Sequence, residues 1–183
     1  MYGENGVGME YEIYNFGKTN ATIDFVVDTF PRQLKDYGRG CKTIVIAAVG
    51  GNNAKAQERP DNFVSTPEEY ESEMRELLMM LKQNSDAQIL VSSSGYVDET
   101  KTNPKINPLT GGKSYFTNAR RQQFGKIDKK LCGEIGIQLV GVDIDDKVWL
   151  EKYVYEDGLH PNQAGYQLIF ESIRPLLDEH LRV

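Results

Sequence analysis

Lys42-Thr43-Ile44-Val45-Ile46-Ala47-Ala48-Val49, closed by Gly50-Gly51-Asn52-Asn53, is the stretch that decides the fold. From Lys42 to Val49 the chain is almost continuously apolar and rich in β-branched side chains. A strand with one wet face alternates apolar with polar residues. A run without alternation suits a central strand of a parallel sheet, covered on both faces. Parallel neighbours need long crossovers, which are usually helical.

Working outward, Ala87 to Val91 is a second buried strand and Gln138 to Val142 a third. Glu10 to Tyr14 (Glu-Tyr-Glu-Ile-Tyr) alternates as a short strand. Helical periodicity fills the intervals. Ala21 to Leu34 carries Ile23, Val26, Val27 and Phe30 on one face, with Pro31 as an interruption. Ser65 or Thr66 caps a helix with Pro67 in its first turn and Glu68 and Glu69 next. Tyr70, Met74, Leu77, Leu78 and Leu81 mark its buried face, and Met79 and Met80 read as core filler. Lys113 to Ile135 reads as a helix, and Asp145 to Tyr153, with the only tryptophan, Trp149, as a short one. The C-terminal helix turns Tyr166, Ile169, Phe170, Ile173, Leu176 and Leu177 inward. Ala54 to Val64 and Val97 to Gly112 read as loops, the second long enough to wall a substrate site.

Strands alternating with helices in this way imply a three-layer α/β/α fold with a parallel, flavodoxin-like sheet. No repeat or linker divides the 183 residues, so residues 1–183 are expected to form one domain. Ligands in such folds bind beyond the carboxyl ends of the strands. The turns at residues 15–20, 50–53, 92–96 and 154–160 would open on that edge, gathering Asn20, Asn52 and His160.

Composition narrows the function. The net charge is −6 and the basic residues are scattered, so no nucleic-acid footprint is expected. No apolar run is long enough for a membrane span. Cys41 and Cys132 lack metal-site spacing and make no disulfide framework; both are expected to be buried or half-buried. No metal or cofactor is implied. Met1 to Gly8 has neither the basic region nor the apolar core of a signal peptide, and the compartment stays open.

Chemistry concentrates in Asp157-Gly158-Leu159-His160-Pro161-Asn162-Gln163-Ala164-Gly165-Tyr166. Histidine is the usual general base near neutral pH, and a neighbouring carboxylate can hold its tautomer and stabilise the imidazolium. Asp157 and His160 are thus an orienter and a base on one short loop. Asn52, after two glycines at a strand end, is a candidate donor to an oxyanion.

The full string Asp-Gly-Leu-His-Pro-Asn-x-x-Gly-Tyr resembles the last conserved block of the SGNH (GDSL-type) hydrolases, a family of serine esterases and lipases. Gly50-Gly51-Asn52-Asn53 is similar to the family's Gly-x-Asn-Asp block, with Asn52 in the place of the oxyanion-donating asparagine and Asn53 where the family has aspartate. Asn15-Phe16-Gly17-Lys18-Thr19-Asn20 is similar to the block Asn-x-Gly-x-x-Gly, whose second glycine gives its backbone N–H to the oxyanion. Asn20 stands in that place. Asparagine tolerates positive φ, and a backbone donor does not depend on the side chain. Asn20-Ala21-Thr22 also fits a glycosylation sequon. The resemblance implies hydrolysis of a small-molecule ester without cofactor or metal, with Asp157, His160, Asn52 and Asn20 as the catalytic set.

The family's first block, a strand ending in Gly-Asp-Ser, does not occur in the sequence. Ser92, Ser93 and Ser94 lie at a strand end on the correct edge. A sheet without the first strand should leave a gap between the strand at residues 10–14 and that at 42–49, with unpaired backbone on both sides. The expectation is an N-terminally incomplete version of a longer esterase, or self-association that fills the gap. Two functions compete: a serine ester hydrolase, and a non-catalytic domain that binds an ester or carbohydrate in the same cleft. A flavodoxin-like nucleotide domain would need a longer phosphate-cradling loop than Gly50-Gly51.

Overall fold

The computed structural model of the chain describes residues 11–92 and 95–181. In chain order the elements are α1 (Ile23–Tyr37), β1 (Ile44–Ala47), β2 (Ala56–Gln57), α2 (Pro67–Asn84), β3 (Ala87–Val91), α3 (Glu99–Thr102), β4 (Lys105–Ile106), β5 (Lys113–Tyr115), α4 (Asn118–Ile135), β6 (Gln138–Val140), α5 (Asp146–Lys152) and α6 (Gln163–Leu181).

β1, β3 and β6 pair in parallel, in that order, with Ile44 opposite Ala87 and Ile89 opposite Gln138. Alternation along β3 divides the core in two. Leu90 joins Ile23, Tyr70, Leu77, Phe124 and Leu131 in the larger cluster, under α1, α2 and α4. Ile89, one residue earlier, joins Val140 and Ile173 in the smaller, under α6. Helices on both faces of a parallel sheet make the three-layer α/β fold. The buried face of α2 is the one its periodicity marks: Tyr70, Met74, Leu77, Leu78 and Leu81 are all at most 2% exposed. Thr66 starts that helix with a capping box, its Oγ1 accepting from Glu69 N while Glu69 Oε2 accepts from Thr66 N.

Other expectations give way where a tertiary partner decides. Residues 11–14 form no strand, and Glu10 lies outside the described residues. Instead Tyr14 and Phe16 pack their rings on Tyr37 at the end of α1, and Glu12 pairs with Arg39. α1 runs through Pro31 to Tyr37; the proline removes one N–H donor, but Leu34 extends the same apolar face into the larger core. β1 is shorter than the apolar run and lies at the end of the described sheet rather than at its centre. Val45, Ala47 and Val49 face the larger core, while Ile46, on the opposite face, is 45% exposed. β6 likewise stops at Val140.

The antiparallel sheet β2-β5-β4 was not visible in the pattern. Its strands are two or three residues long, too short to alternate. β2 lies in the stretch read as loop from Ala54 to Val64; α3 and β4 lie in the long loop from Val97. β5 takes Lys113–Tyr115, so α4 starts only at Asn118, capped by Thr117. Met79 is exposed rather than core, Met80 is half-buried, and Tyr166 faces solvent. Phe170 is half-buried. Cys41 is exposed, while Cys132 is buried.

One core feature sets a pH dependence. Asp128 is fully buried; Tyr70 Oη donates to its Oδ1 at 2.6 Å, and Oδ2 has no hydrogen-bond partner among the described residues. Burial pushes the Asp128 carboxyl up to about 6, with the Tyr70 bond opposing only part of the rise. An unfolded aspartate titrates near about 3.9. Between those values the folded chain keeps a proton that the unfolded chain releases. The contribution of Asp128 to stability is therefore fully present below about pH 4 and is lost as pH rises to about 6. Asn at this position cannot ionise. Asp128→Asn should therefore gain on wild type by up to about 3 kcal/mol between pH 4 and pH 7.5. Urea titrations at both pH values measure it; a difference that does not change with pH would count against the buried proton.

Candidate active site

The Asp157–His160 loop is held at both ends. Tyr155 N donates to His160 O and Gly158 N to Tyr155 O. Asn162 then starts α6, its Oδ1 accepting from Gly165 N at 3.0 Å while its Nδ2 reaches Lys152 O at 2.8 Å. Inside the loop, Asp157 Oδ1 accepts from Leu159 N and His160 N, each at 3.0 Å. Asp157 Oδ2 lies 2.6 Å from His160 Nδ1. Lys105 on β4 reaches the same Oδ2 at 3.2 Å and the Asp157 carbonyl at 3.1 Å.

Burial alone would raise the Asp157 carboxyl, but the two backbone N–H groups, the His160 ring and Lys105 together hold it well below the usual carboxylate range. An ionised Asp157 requires the ring nitrogen facing it to carry the proton. Nε2 is then the acceptor. The His160 side chain is 60% exposed, so that nitrogen can be reached. Gly158 has φ +74°, and a β-carbon there would stand 2.9 Å from Lys101 Cβ. Its carbonyl accepts from Asp98 N at 2.8 Å, which ties the loop to the segment following β3. The loop thus sits at the carboxyl edge of the sheet.

The turn after β1 is built on the same edge. Gly50, at φ +104°, has Tyr70 Oη 2.5 Å from where a β-carbon would be. Asn53 N and Ala54 N both bond Gly50 O. Asn53 is 1% exposed and fully used: its Oδ1 accepts from Ile23 N at 3.2 Å, and its Nδ2 donates to Ser65 Oγ and Glu73 Oε2, both at 3.0 Å. It pins the start of α1 to the turn. Asn20, just before α1, takes φ +62°, and its N–H has no partner among the described residues. Asn52 Nδ2 donates to Ala21 O at 2.9 Å, which leaves its second N–H without a protein acceptor among the described residues.

The position of Asn53 explains its departure from aspartate. Its amide supplies two donors, one of them to a carboxylate. Burial, with Asp24, Glu69 and Glu76 behind it, already pushes the Glu73 carboxyl up. Asn53→Asp would replace that donor with a second carboxylate. The expected loss of stability at neutral pH is at least about 1–3 kcal/mol, the penalty for an unsatisfied buried group and larger for a charged one. The loss should shrink toward about pH 4–5, where the two carboxyls can share a proton. Urea denaturation at both pH values checks it; equal stability at neutral pH would show that the two donors are dispensable.

The structure therefore pairs Asp157 with His160, and brings Asn20 and Asn52 together at the start of α1. Ser93 and Ser94 lie outside the described residues. Ser92 follows β3 and donates its N–H to Val140 O at 2.8 Å. Among the described residues, the hydrogen bonds of the His160 ring go to Asp157 alone. Two residues near these groups escaped the sequence reading, Lys105 and Lys55. Both fall in stretches read as loop, and a lysine gives no sign in sequence that its ammonium is drawn inward.

Among the described residues no helix is long and apolar enough to cross a membrane. The family model described as GDSL-like Lipase/Acylhydrolase family matches residues 4–168. A comparison with curated protein sequences gives no match. Among solved structures, the lipase/acylhydrolase from Enterococcus faecalis superposes with a TM-score of 0.64 at 16% identity, over 89% of this chain and 73% of that one. TesA gives 0.64 at 15% identity, over 95% and 82%. Axe2, an acetylxylan esterase from Geobacillus stearothermophilus, gives 0.56 at 20% identity, over 85% and 67%. At these identities the likeness establishes the fold.

Proposed function

Because the chain belongs to the GDSL-like lipase/acylhydrolase family, we propose that it hydrolyses carboxylic esters, with His160 as base, Asp157 as its orienter, and Asn52 Nδ2–H and Asn20 N–H as oxyanion donors. The observation that carries this reading is the 2.6 Å bond between His160 Nδ1 and Asp157 Oδ2, with the rest of the ring open to solvent.

In the proposed reaction a serine hydroxyl attacks the acyl carbonyl as His160 Nε2 takes its proton. The carbonyl oxygen becomes an oxyanion held by the two N–H groups, and Asp157 stabilises the imidazolium. Collapse expels the alcohol, which leaves with the proton from His160. Water, activated by the same nitrogen, then releases the acid. The substrate class is a small acyl ester, and no step asks for a metal. No described serine donates to His160, so the attacking hydroxyl carries no assignment to a residue.

The second reading is a domain that binds an ester or carbohydrate in the same cleft without cleaving it. Hydrolysis of p-nitrophenyl acetate by this chain and by His160→Ala separates the two. Activity lost in the variant supports the hydrolase and makes Ser92, Ser93 and Ser94 the next targets for replacement. No activity in either protein means that these residues do not hydrolyse the ester by themselves, which fits the binding domain and an incomplete esterase alike.

A further inference from the structure

Lys55 is 4% exposed, and among the described residues it makes no ion pair. A buried ammonium without a carboxylate is expensive, because its charge has left water and gained no opposite charge. Burial is the one cause that moves its titration, and it lowers it. What the ammonium faces instead is a pair of amide oxygens: Asn20 Oδ1 at 3.3 Å and Asn52 Oδ1 at 3.5 Å. These are long for N–H···O bonds, so they act chiefly as ion–dipole contacts. Residue 55 is also fixed through its backbone, since its carbonyl accepts from Val64 N at 3.0 Å beside β2.

From this geometry we infer that Lys55 is a positioning residue for the oxyanion site: its ammonium draws the side-chain oxygens of Asn20 and Asn52 inward, which turns the Asn52 amide N–H outward and holds the Asn20 side chain off the acyl oxygen that the Asn20 backbone N–H would meet. An amide has two orientations related by a flip of O and N, and a cation on one side selects the one with oxygen toward it. Ala21 O, accepting from Nδ2, selects the same orientation from the other side. One charge thus sets the Asn52 donor and holds the Asn20 side chain, on a different segment, beside it. It also places positive charge behind the position where the oxyanion develops. The inference rests on the oxyanion roles proposed for Asn20 and Asn52.

The contacts with Lys55 are too long to offset its desolvation, so its presence should lower stability while it improves the site. Lys55→Met keeps the volume and removes the charge. The variant is expected to melt no lower than wild type. Acetate is the probe, because a carboxylate oxygen can occupy the position of the acyl oxygen. In 15N–1H spectra of the full chain, acetate should shift the Asn52 side-chain amide and the Asn20 backbone amide, and Lys55→Met should weaken that binding at least tenfold. Lys55→Gln keeps a donor without the charge and should fall between the two. It also serves if the methionine variant does not fold. The inference is overturned if wild type shows no shift at those two amides, or if the variants bind acetate as wild type does.

The esterase assay keeps this result separate from the hydrolase reading. Acetate binding weakened in the variants, in a chain without esterase activity, would uphold Lys55 and show that these residues do not hydrolyse the ester by themselves. Esterase activity that depends on His160, with acetate binding unchanged in Lys55→Met, would do the reverse.

Discussion

Replacing His160 with alanine is expected to lower the turnover of p-nitrophenyl acetate by on the order of 10⁴-fold or more, the scale on which removing the base of such a constellation acts. The loss should fall on kcat, because imidazole is needed when the nucleophile gives up its proton and not when the ester binds. Folding should be nearly unchanged. The ring is mostly exposed, and the loop is closed by backbone bonds from His160 N and O and from Leu159 N, all of which alanine keeps. Equal melting temperatures with activity lost would place His160 in the chemistry. Unchanged turnover would sink the assignment, since no other described histidine lies near Asp157; His180 bonds Gln138, near the end of α6.

Asn52→Ala is expected to cost about 2.7–4 kcal/mol in transition-state stabilisation, a loss of about 10²–10³ in kcat, if its free N–H meets the oxyanion. The same replacement removes the 2.9 Å bond to Ala21 O and one of the two oxygens facing Lys55. Part of the effect therefore passes through the position of Asn20. Asn52→Asp separates out the Lys55 contact: it keeps an oxygen for Lys55 but, like alanine, loses the bond to Ala21 O and offers the substrate no N–H. Similar losses in both variants would locate the effect in the missing amide N–H groups rather than in the contact with Lys55. A loss confined to KM would make Asn52 a residue that binds the substrate equally before and during reaction.

Much of the local geometry of the candidate site was legible because its signals are local. Asp157 and His160 are three residues apart on one loop, and the loop itself supplies the bonds that orient them. Asn20 was read as a residue that accepts positive φ, and it takes φ +62°. The face of α2 was legible because a helix repeats its contact with the core every three or four residues, and eighteen residues give the period room to show.

The chain by itself therefore determined what depends on local pattern: the alternation of parallel strands and helices, the capping box that starts α2, and the two loops that carry Asp157, His160 and Asn52. Only tertiary structure decided the rest. Residues 11–14 alternate like a strand, but pairing needs a neighbour, and here the rings of Tyr14 and Phe16 pack on Tyr37 instead. The Lys42–Val49 run is apolar enough for two covered faces, yet Ile46 remains 45% exposed, because coverage is a property of the neighbouring elements. Lys55 and Lys105 look like loop charges. One became a buried cation between two amides and the other a partner of Asp157, since burial and pairing arise only when segments distant in sequence are brought to one edge of the sheet.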